Sequence, residues 1–307
     1  MTRVTGVPEP GSARRAGPGS PRLQIGVVGA GRVGAVLGAA LVRAGHEVVA
    51  VSGVSEASRR RAEQFLPGVT VLPPDEVVAV SGTVLLTVPD DALRPLVNGL
   101  ANADVWQEGQ LAIHTSGAHG IGILDAAAAR GVLPLALHPV MTFAGRPEDL
   151  DRLNGAAFGV TSPPELRPVA ELLVVEIGGE PVWVPELARP IYHAALTMGS
   201  NYLITLVNDA LDLLDSAGIE SSDRLLAPLL SAALDNVLRL RDAALTGPVA
   251  RGDITTLAAH LATLRAHAPA TLPSYITLGR RTAARAAAAG RLDEAQRRAV
   301  ESVLDRA

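Results

Sequence analysis

Cysteine is missing from all 307 residues, which excludes disulfides, thiolate metal ligands and a thiol nucleophile and fits a reducing compartment. Lysine is missing too: all 27 basic residues are arginine, whose guanidinium keeps its proton at neutral pH and so cannot serve as a general acid. With aromatics at 3% and a net charge of -4, the sequence offers neither a base-stacking platform nor a basic surface for phosphates, and nucleic acid is not an expected partner. No uninterrupted apolar run reaches the roughly 18 residues of a bilayer span, so no membrane partner is expected and the location is read as cytoplasmic.

What is present is enough apolar residue, 48%, to fill two modest domains. The opening MTRVTGVPEPGSARRAGPGSPR has almost nothing to bury and is expected to be a disordered tail over residues 1–22, without the continuous apolar core of a secretion signal. From Leu23 onward, valine-rich runs (LQIGVVG, EVVAVS, GTVLLTV, QLAIHT, VLPLALH) alternate with helical stretches. Strands that read as continuous apolar runs are buried on both faces, and intervening helices supply crossovers, so the expected fold is α/β, a doubly wound parallel sheet. Residues 156–160 and 181–184 are candidates for further strands. After about residue 185 strand signals stop, and helices follow with breaks at Gly218, Gly247, Pro269 and Gly290. The expected division is a dinucleotide-binding domain over 23–185 and an all-α domain over 186–307 that binds substrate and pairs with a second copy.

LQIGVVG runs directly into GAGRVG and then AVLGAALVRAG, which places Gly29, Gly31 and Gly34 at the spacing of a dinucleotide fingerprint between a strand and a helix. The first glycine permits the tight turn, the second lets backbone approach a pyrophosphate, and the third lets helix pack on strand; Arg32 and Val33 lie among them at the helix start. The second strand ends at Ser52, where an NAD site usually offers an acid to the ribose hydroxyls. Here Ser52, Ser55 and Arg59 supply hydroxyl and guanidinium donors instead, suited to a 2′-phosphate, and the expected cofactor is NADP. The alternative makes residues 59–61 a solvated helix face and Ser55 its cap.

In open parallel sheets ligands sit beyond the carboxyl ends of the strands. TVPDDAL follows the fourth strand and gives Val88 and Pro89 as a wall for a nicotinamide, with Asp90 beside them or acting as a helix cap. The fifth strand ends in HTSGAHG, which assigns His114 to the cofactor and Ser116 and Gly117 to the substrate; the sixth ends in LHPVMTF with His138. Each histidine reads equally as a satisfied structural group. No HxxxH or HxH pair occurs at these ends, and no metal is expected.

Residues 191–209, IYHAALTMGSNYLITLVND, read as one helix. At about 100° per residue His193, Thr197, Ser200, Asn201 and Asn208 project into one polar stripe that carries no full charge before Asp209. A face meant only for water would be charged, so a polar partner is expected there.

GAGRVG, TVPDD, HTSG, LHPVMTF, YHAALTMGSNY and TGPVARGDITTLAAHL, in that order, resemble a family of Rossmann-like NADP-dependent oxidoreductases with an uncharacterised helical C-terminal domain, frequent in actinobacteria. The likeness covers nearly everything after residue 22. The wider group includes ketopantoate reductases, 3-hydroxyacid dehydrogenases and pyrroline-5-carboxylate reductases, in which a helix after the nucleotide domain completes the active site. Ketoacid members of that group place a lysine one turn before an asparagine on this helix to protonate the nascent alkoxide. The resemblance matches Asn201 to the asparagine and puts Thr197 in the lysine's place, so proton donation falls to another group.

The polar stripe is accordingly read as lining the domain cleft. His193 is the first candidate proton donor and His138 the second, since histidine titrates near working pH. Asn201 and Ser116 are expected to hold the substrate carbonyl or carboxylate, with Thr197 and Gly117 beside it. The alternative is a helix–helix interface. In GPVARGD, Asp253 is expected to cap the next helix and Arg251 to meet a substrate carboxylate, unless it pairs with an acid. The expected function is NADPH-dependent reduction of a small carboxylate-bearing carbonyl compound, with ketopantoate as the named candidate. Reduction of a cyclic imine such as pyrroline-5-carboxylate, and a non-catalytic NADP(H)-binding redox sensor, remain as alternatives; a homodimer is the expected assembly.

Overall fold

The computed structural model describes residues 22–306, so the N-terminal tail lies outside the described residues except for Arg22. Strands β1 (Gln24–Val28), β2 (Glu47–Ser52), β3 (Thr70–Val71), β4 (Thr83–Leu86), β5 (Leu111–His114), β6 (Leu133–Pro139), β7 (Ala157–Thr161) and β8 (Glu180–Trp183) form one sheet. Their order is β3-β2-β1-β4-β5-β6-β7-β8. Residue alternation feeds a core on each face. Ile25, Val27, Leu85 and Ile113 pack with Val36 and Leu37 of the Arg32–Arg43 helix. Val28, Val84, Leu86 and Ala112 pack with Leu93 and Val97 of the Asp90–Asn102 helix. Each aliphatic side chain removed from water in this way contributes about 1.5–3 kcal/mol, which is why valine-rich runs become central strands.

Every neighbouring pair is parallel except β6 with β7. The doubly wound sheet expected from the sequence is therefore present, with one reversal. The segment between β6 and β7 carries only the short Glu148–Arg152 helix, too short to run back along the sheet, so β7 starts where β6 stops. The strand order reverses at β1, which lies between β2 and β4, and this sets the carboxyl ends of β1 and β4 side by side.

The chain divides into two compact units between Met198 and Gly199. The sequence places the change at residue 185, and the last strand does end at Trp183. The Arg189–Thr197 helix nevertheless stays with the sheet, because Arg189 at its start is fully buried and donates to the carbonyls of Ala136 on β6 and Gly159 on β7. A π-helical turn, Met198–Tyr202, follows, and then an α-helix over Leu203–Ser216. A π-helical turn has a different residue spacing from an α-helix, so the 100° projection applies only within the Arg189–Thr197 helix and within the Leu203–Ser216 helix.

In the second unit Val249, Leu257, Leu261, Ala283, Val300 and Leu304 build a third core among helices Pro248–Arg251, Ile254–His267, Leu272–Ala288 and Glu294–Asp305. The helices Leu203–Ser216 and Ser222–Leu240 add no buried apolar residue to it, although Leu203, Leu225, Leu229 and Leu238 lie along them. Among the described residues no helix is long and apolar enough to cross a membrane.

Candidate active site

The glycine turn closes β1. Gly29 has φ +102°, and a Cβ there would come within 2.9 Å of the Thr87 carbonyl oxygen. A Cβ on Gly34 would collide with the Gly29 carbonyl and the Thr87 hydroxyl, so the helix reaches the strand only because that side chain is missing. Thr87 secures the arrangement, its hydroxyl donating to the Gly29 carbonyl at 2.6 Å. Around Gly31 the opposite holds: among the described residues nothing lies within 4 Å of the position a Cβ would take. The backbone is thus open at the N-terminus of the Arg32–Arg43 helix, where unpaired amides favour an anion. Exposed Arg32 and half-buried Val33 begin that helix. The chemistry of this turn fits a dinucleotide pyrophosphate.

Beyond β2 the structure redistributes the residues assigned to a 2′-phosphate. The Ser52 hydroxyl accepts the Gly29 amide at 3.1 Å and the Ser52 carbonyl accepts the Ala30 amide at 2.8 Å, in a residue only 4% exposed. Ser52 braces the glycine turn; its assignment as a phosphate ligand is corrected, because its oxygen faces inward. Ser55 caps the Glu56–Phe65 helix, accepting the Ser58 amide at 3.1 Å, as the alternative reading has it. Arg59 is exposed and donates to the Val54 carbonyl at 2.9 Å, while Arg60 pairs with Glu56. Arg32 and Arg61 both pack beside Gly145. No acid occurs between Ser52 and Ser55.

After β4, half-buried Val88 and exposed Pro89 lead into the Asp90–Asn102 helix. Pro89 is the capping position, and Asp90, in the first turn, makes no side-chain cap bond. Its carboxylate instead acts on His138, favouring the protonated ring.

The two histidine-bearing strand ends diverge. His114 is fully buried, and its ring is occupied at both nitrogens: Nε2 pairs with the Gly120 carbonyl at 2.9 Å and Nδ1 accepts the Ser116 amide at 3.2 Å. The assignment of His114 to the cofactor is therefore corrected; it pins the 114–120 loop. Burial pushes it down to about 3, with help from Arg189, His119 and His138, against the opposing pull of the Gly120 bond. The Ser116 hydroxyl accepts the His119 amide at 3.2 Å, and the Ser116 carbonyl accepts Arg189 Nη1 at 3.3 Å. The Glu186 carboxylate holds the far side of the loop, accepting the amides of Ile121 and Gly122 at 2.8 and 3.0 Å.

His138 is half-buried near the end of β6, with Nδ1 bonded to the Tyr192 hydroxyl at 2.8 Å. Its ring meets that of His193 edge-on, centroids 6.0 Å apart. Both rings converge on Gly117: a Cβ there would collide with His193 Nδ1 and come within 2.9 Å of His138 Nε2. His193 Nδ1 is itself buried and has no hydrogen-bond partner among the described residues. Burial, then Arg189, then His193 push His138 down to about 4, outweighing Asp90. His138 is consequently neutral at pH 7, which corrects the expectation that it titrates near working pH.

The fold thus brings together His138, His193, Ser116 and Gly117, and adds Tyr192 and Arg189, to which sequence reading assigned no role. Tyr192 stands in the YHAALT motif, but its sequence neighbours give no sign that its hydroxyl reaches a strand. Thr197 is half-buried at the end of its helix and Asn201 is exposed in the π turn, its carbonyl accepting the Thr205 hydroxyl at 3.2 Å. In the second unit Arg251 donates to the Thr246 carbonyl, and Asp253 caps the Ile254–His267 helix through the Thr256 amide at 3.0 Å. Among the described residues no cluster of three or more His, Asp or Glu side chains is placed to hold a metal ion.

Residues 9–139 match the Rossmann-like domain family, and residues 156–282 match a domain of unknown function, DUF2520. No curated protein matches the chain. Among solved structures, a candidate NADP oxidoreductase from Bacteroides fragilis is 24% identical, with a TM-score of 0.71 over 85% of this chain and 98% of that one. An imine reductase from Pseudomonas sp. is 18% identical, with a TM-score of 0.64 over 93% and 99%. The Plasmodium falciparum pyrroline carboxylate reductase with NADP bound is 14% identical, with a TM-score of 0.55 over 93% and 99%. These likenesses are likenesses of fold.

Proposed function

We propose that this chain, a Rossmann-like domain followed by a DUF2520 domain, is an NADPH-dependent reductase of a small carbonyl compound that bears a carboxylate, with ketopantoate the first substrate to try. The observation that carries the reading is that one sheet edge presents both an open glycine turn at Gly31 and, at the end of β6, two imidazoles converging over Gly117. NADPH, when bound, supplies a hydride. The amides at the start of the Arg32–Arg43 helix suit its pyrophosphate. Arg59, with Arg32 and Arg61 nearby in sequence or packing, suits a 2′-phosphate, and the lack of an acid at the end of β2, from Ser52 to Ser55, disfavours a bare ribose. His138 and His193, whose rings converge on Gly117, suit a role in holding and protonating a substrate oxygen. Arg189, a buried cation bonded to the Ser116 carbonyl, makes the loop above it favourable for an anionic group.

A second reading is reduction of a cyclic imine. It is favoured by a neutral His138 in a chain without lysine, since an iminium arrives already protonated and needs no strong acid. Following NADPH absorbance with ketopantoate, other 2-oxo acids and pyrroline-5-carboxylate tests both. Turnover of an oxo acid supports the first, turnover of the imine alone supports the second, and tight NADPH binding with no turnover at all removes both in favour of a sensor. Arg59→Ala is expected to weaken NADPH binding about tenfold while leaving NADH binding unchanged, by calorimetry.

A further inference from the structure

We infer that Tyr192 is a proton-relay residue, whose hydroxyl restores through His138 the proton that this imidazole gives to the substrate oxygen. The inference rests on the reductase reading above. Tyr192 precedes His193 in the Arg189–Thr197 helix, so the two side chains leave it about 100° apart. His193 turns to Gly117, and Tyr192 turns to β7. There Gly159 stands directly opposite His138 in the β6–β7 pair, and a Cβ on Gly159 would collide with the Tyr192 hydroxyl. The missing side chain on β7 opens the lane through which the phenol reaches Nδ1.

The direction of that bond fixes the tautomer of the ring. Among the described residues the His138 ring is the one hydrogen-bond partner of the Tyr192 hydroxyl. The relay has Tyr192 donate and Nδ1 accept, which puts the ring proton on Nε2, the nitrogen beside Gly117. A neutral imidazole alone is a poor acid, because losing Nε2–H leaves an imidazolate. The pair avoids this. Nε2–H passes to the oxygen left by carbonyl reduction while the phenol O–H passes to Nδ1. One O–H and one N–H bond form, one N–H and one O–H bond break, and His138 stays neutral throughout. The charge ends on the Tyr192 oxygen, which water reprotonates.

Arg189 fits this outcome. Its guanidinium carbon lies 5.7 Å from the centre of the Tyr192 ring. Its hydrogen bonds go to the Thr161 hydroxyl and the carbonyls of Ser116, Ala136 and Gly159, so among the described residues no carboxylate is hydrogen-bonded to this fully buried cation, and Glu186 acts on it only through its charge. Burial raises the phenol on balance, which keeps Tyr192 protonated between turnovers, and Arg189 pulls the other way and offsets part of the cost of a transient phenolate.

Tyr192→Phe keeps the ring and removes the proton. Turnover is expected to fall about 10²-fold, with KM and NADPH affinity changed less than about twofold. The proton inventory in mixed light and heavy water should change from curved, two protons in flight, to linear. On the free wild-type protein, 15N chemical shifts of His138 should report a proton on Nε2, and in Tyr192→Phe a mixture of tautomers. A wild-type proton on Nδ1, or a variant within about twofold of full turnover, overturns the relay. The tautomer is read without substrate or coenzyme. A protein with the expected tautomer that reduces no substrate therefore overturns the reductase reading, and the relay with it, for a reason distinct from a wrong hydrogen bond.

Discussion

β5 and β6 lie side by side, and each ends in a histidine followed by small and hydroxyl-bearing residues, HTSG in one and HPVMT in the other. Their imidazoles do opposite things. The chain after His114 turns back at once, and the Gly120 carbonyl and Ser116 amide take both ring nitrogens. The chain after His138 leaves the ring to other partners: Tyr192 meets it on one side and the His193 ring over Gly117 on the other, and among the described residues Nε2 takes no hydrogen bond. A histidine at a strand end is available for chemistry only when the following loop leaves one nitrogen without a partner. The first residue of that loop does not reveal which case applies.

The largest effect that sharpens this contrast is expected from His138→Ala. Turnover should fall by about 10²-fold or more, with NADPH affinity held within about twofold, as measured by stopped-flow and calorimetry. Equal losses in both measurements would make His138 a cofactor contact instead.

His114→Ala should act on folding. It opens a buried cavity and strands the Ser116 amide and the Gly120 carbonyl, which together cost about 2–4 kcal/mol in urea unfolding. The same residue predicts a pH dependence. Both histidines are held below their ordinary value in the folded chain, about 3 for His114 and about 4 for His138, so the unfolded chain takes up their protons first. Stability is therefore complete above about pH 6.5 and declines as pH falls from there, through about 4 for His138 and about 3 for His114. His114→Asn should flatten part of that decline, and an unchanged slope would show that another group controls it.

The smallest of these effects is expected from Gly117→Ala. Its methyl must displace the His193 ring and crowd His138 Nε2, so turnover should drop about tenfold, the loss typical of a misplaced catalytic group. Urea stability should change by less than about 1 kcal/mol. A variant with full turnover would mean that the two rings are not held over that glycine.

The legible parts of this chain are those whose causes lie close in sequence. Gly29, Gly31 and Gly34 act within a single strand, turn and helix, and Asp253 bonds to Thr256 three residues on. The misread parts depend on distant partners. Ser52 looks like a free strand-end hydroxyl until its 3.1 Å contact with the amide of Gly29, 23 residues earlier, is seen. Arg189 resembles any other arginine, yet it joins segments 28 to 73 residues away. The 191–209 helix reads as continuous and uniform, and no residue within it announces the π turn at Met198–Tyr202.

Periodic burial and short-range backbone chemistry were enough for the sequence alone to determine the sheet, the glycine turn and the helical second half. Which nitrogen of which histidine stays open, and that a phenol and a buried guanidinium stand behind it, was decided only when β6 came to lie against β7. A side chain's hydrogen-bond partner is set by what packs beside it in space, and the chain brings those neighbours together from positions too far apart for any local pattern to record.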